Sequence, residues 1–332
     1  MAFAATANAA HEPVKHRAKH AAKHVATRVS QPVHAQSAHE AKHAARLHGG
    51  VRRAVFERRP LSSAPFGMTD AQRKPALRST VAYVIDEHTH DVLFDKNSAA
   101  VVPIASITKL MTSMVVLDSK ASLTEPITVT DEDRDYEKMT GSRLAVGSTL
   151  SRADMLHIAL MASENRAAAA LSRYYPGGRP GFIAAMNAKA KALGMTDTHF
   201  ESPSGLTSKN VSSARDLVKM VEAAYQYPMI RTYSTDRSYT VDTGKRNIAY
   251  RSTNALIRDP RWEIGLQKTG FINEAGICLV MQTTVAERPL VMVLLDSSGR
   301  YSDFADAAAL RSFIITDERT RLTANDGGHG GT

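Results

Sequence analysis

A chain of 332 residues, 43% hydrophobic and 23% charged, is long enough for one domain with a deep core or for two small ones. Its single cysteine, Cys278, excludes an internal disulfide framework and a cysteine-based structural metal cluster. The net charge of +9 is confined: residues 1–60 carry eleven Lys and Arg against three Asp and Glu, and the remainder is nearly neutral, so the high pI of about 9.6 does not indicate a nucleic-acid-binding face on a folded body.

The chain opens Met1-Ala-Phe-Ala-Ala-Thr-Ala-Asn-Ala9, which reads as the end of a signal peptide cleaved after Ala9, or as an Ala-rich disordered start. An exported, periplasmic protein is the expectation. No run of eighteen apolar residues occurs, so no transmembrane anchor is expected. Residues 10–75 repeat Ala, His and Lys and hold eight of the 13 histidines. With almost nothing to bury, they are expected to be a disordered basic tether. Zn²⁺ capture there is the weaker reading, since no spacing matches a defined site. Its charge suits loose association with anionic polymers of the envelope.

Order is expected from residue 76 to 318. Thr80–Asp86 and Val92–Asp95 are β-rich runs around a polar turn and read as a hairpin. Ile107 to Leu117 has buried-helix spacing, with Ser106 in its first turn. Helical patterns recur at 151–161, 165–175, 180–193 and 213–226, the last with a cap at Ser212-Ser213. Strand character returns at 236–252, then in three runs, 264–270, 276–285 and 289–296. A closing helix follows over 301–315, and residues 319–332 read as a flexible tail. If the hairpin and the C-terminal runs share one sheet, the result is an antiparallel α+β domain with a mostly helical insertion.

Ser106 and Lys109 are three apart at a helix start, which sets both side chains on one face. A serine hydroxyl becomes a nucleophile when a base takes its proton, and lysine can do so once burial or a neighbouring cation has lowered its pKa. Alone, Ser-x-x-Lys should arise about once by chance in a chain this long. Here it is followed by Ser163-Glu164-Asn165 after a helix and by Lys268-Thr269-Gly270 at the end of a strand.

These three motifs, in this order, resemble those of the serine penicillin-recognising enzymes. The surrounding segments, 160–168, 199–206 and 268–276, are similar to the low-molecular-mass D-alanyl-D-alanine peptidases over about residues 79–317. The resemblance implies a β-lactamase/transpeptidase-like fold with a five-stranded antiparallel sheet. It also implies a serine peptidase with no cofactor and no metal, acting on peptidoglycan stem peptides, with β-lactams as covalent inhibitors. Ser106 would be the nucleophile and Lys109 its base. The backbone N–H groups of Ser106 and Phe271 would form the oxyanion hole. Ser163 would relay a proton to the leaving amine, while Asn165, Lys268, Thr269 and Gly270 would bind substrate. Glu164 is expected to face away from Lys109, and His199 to be structural.

The Ser-Glu-Asn-Arg form of the middle motif, with no second β-rich domain after the closing helix, resembles the cross-link-cleaving endopeptidases more than the carboxypeptidases. A β-lactamase fits less well, because no Glu-x-x-Leu-Asn segment follows the second motif. From another class, a basic-tailed DNA- or polymer-binding protein with a catalytically silent body is the competing expectation.

Overall fold

The computed structural model describes residues 74–326. The expectations for residues 1–9 and for nearly all of 10–75 lie outside this range, as do residues 327–332. In chain order, β1 (Ser79–Asp86) and β2 (Val92–Lys96) form the anticipated hairpin. The short strand β3 (Val102–Pro103) then leads through a 3₁₀ turn, Ala105–Thr108, into α1 (Lys109–Asp118). Next come β4 (Pro126–Thr128), β5 (Thr149–Ser151), α2 (Arg152–Met161), α3 (Asn165–Arg173) and α4 (Gly178–Ala192). The strand β6 (Val211–Ser212) precedes α5 (Ala214–Tyr225) and α6 (Pro228–Thr235). Finally β7 (Ser238–Asp242), β8 (Asn247–Arg251), β9 (Glu263–Ile272), β10 (Gly276–Val285) and β11 (Arg288–Ser297) lead to α7 (Ser302–Asp326).

The hairpin and the C-terminal strands do share one sheet, ordered β2-β1-β11-β10-β9 and antiparallel throughout. Its central strand explains the layering. β11 reads Leu290-Val-Met-Val-Leu-Leu295, apolar on both faces, which marks a strand covered on both sides. Val291, Val293 and Leu295 face the helical middle together with Val81, Ile85 and Val280. Leu290, Met292 and Leu294 face the other way, packing with Leu310 and Ile314 of α7. The order is therefore closing helix, sheet, helical insertion. Pairing of Ser79 with Ser297 closes the chain ends onto neighbouring strands.

The strand character expected at 236–252 is a separate hairpin, β7 with β8, outside the main sheet. Two sequence boundaries are corrected. The closing helix runs to Asp326, so residues 319–326 continue α7 and are not a loose tail. Ser106 lies in the 3₁₀ turn before α1 rather than in the first α turn. In a 3₁₀ turn, side chains three apart eclipse one another, which aligns Ser106 with Lys109 more closely than an α-helix would. The cap on α5 is as read: Ser213 accepts the backbone N–H of Asp216 at 3.3 Å.

Candidate active site

The nucleophile turn is held by a loop on one side and a strand edge on the other. Ala105 adopts a left-handed φ of 46°, a conformation that costs energy for a residue with a Cβ and persists only where surroundings enforce it. Two contacts enforce it. Gly270 of β9 lies so close that a Cβ there would be 2.9 Å from the Ser106 backbone nitrogen. Gly205 lies closer still: a Cβ on it would come within 1.9 Å of the Ala105 carbonyl oxygen.

Gly205 belongs to the loop 201–210, which Asn210 ties down from a fully buried position. Its amide oxygen accepts the N–H groups of Glu201 and Ser202, its amide nitrogen donates to Thr108 Oγ1 at 3.0 Å, and its carbonyl accepts the Ile104 N–H. Gly205→Ala is expected to destabilise the protein by about 2–4 kcal/mol, because backbone rather than a flexible side chain must yield. It should also slow acylation more than the stability loss explains. Chemical denaturation alongside penicillin labelling of the folded fraction measures both.

Lys109 is completely buried, and its Nζ lies 2.8 Å from Ser106 Oγ, 2.8 Å from Asn165 Oδ1 and 2.7 Å from the Ser204 carbonyl. The amide oxygen and the carbonyl can only accept, whereas the hydroxyl can also donate. A neutral amine thus satisfies all three by giving its two N–H bonds to Asn165 and Ser204 and receiving the Ser106 O–H on its lone pair. Burial makes the neutral form accessible, lowering the pKa from 10.5 to about 7, partly opposed by the Glu164 charge. Glu164 makes no hydrogen bond with Lys109 among the described residues. Its carboxylate instead accepts from Ser142 Oγ at 2.6 Å and Tyr250 OH at 3.3 Å, although its field still reaches the lysine.

The third motif arrives on β9, an edge strand that leaves backbone groups open to an extended peptide. Lys268 is fully buried, donates to the Thr269 carbonyl at 2.8 Å, and has its pKa pushed well down by burial and then by Lys109. Thr269 Oγ1 and Thr253 Oγ1 are 2.6 Å apart. A cleft of about 860 Å³ runs past Ser106, Ser163, Asn165, Thr269, Gly270 and Phe271. Phe271 is 60% exposed at its rim, and Ser163 sits between α2 and α3 with φ 59°. Lys138 pairs with Glu274 of the β9–β10 turn. Of the eight site residues expected from the sequence, six line this cleft, Lys109 joins it through Ser106 and Asn165, and Lys268 is buried in β9 next to Thr269. His199 contributes through its backbone, bridged to Val211, while its ring is exposed beside Glu201.

Sequence reasoning assigned no role to the Ser204 carbonyl, Gly205, Asn210 or Thr253. The first three lie in or beside a segment already similar to the family, Ser202-Pro-Ser-Gly-Leu206, and its glycine was the available signal. Thr253 carried none.

An antiparallel sheet backed by a helix on one face and a helical insertion on the other, with a Ser–Lys pair against a Lys-Thr-Gly strand edge, defines a serine acyl-transfer enzyme of the penicillin-recognising fold. The profile of the D-alanyl-D-alanine carboxypeptidase family matches residues 68–299, and the chain belongs to that family of serine peptidases. A D-alanyl-D-alanine endopeptidase of Pseudomonas aeruginosa is 49% identical over 250 residues, spanning 75% of this chain and 81% of that protein. One from Escherichia coli is 46% identical, over 73% of this chain and 79% of that protein. Among solved structures, the Streptomyces K15 DD-transpeptidase superposes with a TM-score of 0.69 at 27% identity, covering 74% of this chain and 99% of that one. Penicillin-binding protein D2 from Listeria monocytogenes in its cefotaxime-bound form gives 0.66 at 28% identity, covering 73% and 99%.

Proposed function

We propose that this enzyme hydrolyses D-alanyl peptide bonds that cross-link peptidoglycan stems, through an acyl-enzyme on Ser106. The observation that carries this reading is the 2.8 Å contact between Ser106 Oγ and the buried Lys109 amine, beside a strand edge able to receive peptide. Ser106 Oγ attacks the D-alanyl carbonyl carbon while its proton passes to Lys109 Nζ. The oxyanion is held by the backbone N–H groups of Ser106 and Phe271. On collapse the C–N bond breaks, and Lys109 returns the proton to the leaving amine through Ser163. Water then attacks the ester, giving its proton to Lys109, and the Ser106 oxygen leaves with a proton as the stem's new carboxylate departs. Asn165 and the Thr269 hydroxyl orient the substrate backbone and carboxylate, and Gly270 keeps the strand edge open. Lys268 stands buried on the same strand, where burial and then Lys109 disfavour its charged form.

The endopeptidase assignment is supported by relatives named D-alanyl-D-alanine endopeptidases at 49% and 46% identity. Carboxypeptidase activity is the second reading, favoured by the family's description. Residues 76–318 are taken as the catalytic body, periplasmic and inhibited covalently by β-lactams, with residues 10–75 as a tether to the envelope that binds no specific nucleic acid. Incubating the full chain with a soluble cross-linked stem dimer tests the assignment. Separated stems without free D-alanine are expected, and release of D-alanine alone would reverse the two readings.

A further inference from the structure

A second cavity, about 410 Å³, opens behind Ser163 and is lined by Ser163 and Asn165 on one side and by Arg143, Ala249, Tyr250 and Arg251 on another. Its walls follow from strand alternation in β8. Ile248 and Tyr250 turn inward and are buried, so Ala249 and Arg251 project outward together. The small Ala249 leaves the volume that Arg251 borders. Arg143 lies with its guanidinium carbon 4.8 Å from the centre of the Tyr250 ring, a stacking that orients the group while leaving its N–H edge free. The β7–β8 turn adds Lys245 and Arg246, and Arg246 donates to the Arg143 carbonyl at 3.2 Å.

Basic groups outnumber acidic ones here, the β7–β8 turn also holding Asp242, whose carboxylate accepts the Gly244 N–H. Arg143, Lys245, Arg246 and Arg251 are all exposed, and none forms an ion pair among the described residues. Glu164 is the one carboxylate in the lining, and it is buried and engaged by Ser142 and Tyr250. Arg143 and Arg251, the two cations in the lining, attract an anion, and their two guanidinium forks suit a carboxylate in particular.

We infer that this cavity is the subsite for a carboxylate on the leaving stem, with Arg143 and Arg251 as its ligands. The inference rests on the proposed function, because it places the leaving amine at Ser163, and Ser163 belongs to both the catalytic cleft and this cavity. A leaving group that is itself a peptide carries its C-terminal carboxylate beyond the scissile bond and reaches past Ser163. A single departing D-alanine keeps its carboxylate next to the bond, within reach of Thr269. The subsite therefore favours cross-linked over terminal substrates.

The test compares two soluble cross-linked dimers, one with a free carboxylate at the C-terminus of the leaving stem and one with that terminus amidated, on the full chain and on the double variant Arg143→Gln, Arg251→Gln. The wild type is expected to favour the acid in kcat/KM by roughly 10–100-fold, the range for charge-assisted hydrogen bonds, and the double variant to bring the ratio near one. A general folding defect lowers both rates and leaves the ratio alone, so a ratio unchanged in the variant overturns the subsite. A wild-type ratio near one overturns it equally. Failure of the wild type to split either dimer, with D-alanine still released, refutes the endopeptidase reading and the subsite with it.

Discussion

Replacing the nucleophile by Ser106→Ala is expected to abolish covalent labelling by a fluorescent penicillin and to lower hydrolysis of a cross-linked stem by about 10⁴-fold or more, as loss of a serine nucleophile does elsewhere. The geometry leaves no substitute. Ser106 Oγ is the hydroxyl within 2.8 Å of the buried amine, and Ser163 Oγ accepts no hydrogen bond from Lys109 among the described residues. Labelling that survives in Ser106→Ala, mapped by mass spectrometry to another residue, would assign the chemistry elsewhere. Loss of labelling together with salt-sensitive DNA binding would favour a polymer-binding protein with a silent body.

The second large effect is on Lys109. Lys109→Met is expected to slow acylation by at least about 10³-fold, since the base and its contacts to Asn165 and Ser204 go together. In the wild type, acylation should rise as pH climbs through about 7, where the amine loses its proton. Stability follows the same group. Its folded pKa lies below its unfolded value of 10.5, so between these values the unfolded chain holds more protons and stability rises with pH. Below pH 7 both states are protonated and the full cost of burying the charge is present. The wild type should accordingly gain on Lys109→Met, by on the order of 2 kcal/mol, between pH 6 and 9. Denaturation of both proteins at the two pH values checks the sign. A difference that does not change with pH would mean that Lys109 is not the titrating group.

Lys268 is coupled to this equilibrium. Both amines are fully buried, and Lys109 is the second cause of the depression at Lys268, after burial. From sequence, either burial or a neighbouring cation could leave Lys109 neutral. The cause that lowers it is burial, which no residue spacing discloses.

Much of the architecture was legible because it is periodic or locally coded. The two-faced apolar run of β11, the Ser213 cap and the alternating hairpin at 80–95 each follow from neighbours in the chain. The C-terminal end of α7 was not, since a polar helix continuing from a packed one looks like a tail when only its apolar positions are counted. The separate β7–β8 hairpin was visible as strand, but its exclusion from the main sheet depends on which edges are already occupied.

For the site, the chemistry was legible in residue types: three short motifs mark a candidate nucleophile, its base and a peptide-binding edge, because reactivity resides in side-chain type. Tertiary structure alone decided what makes that chemistry run. Desolvation of Lys109, the 1.9 Å limit that Gly205 meets at Ala105, and the Ser204 carbonyl that fixes the direction of the amine lone pair are properties of packing between segments about 100 residues apart. Long-range burial sets a pKa and an orientation, and neither is written in the identity of any one residue.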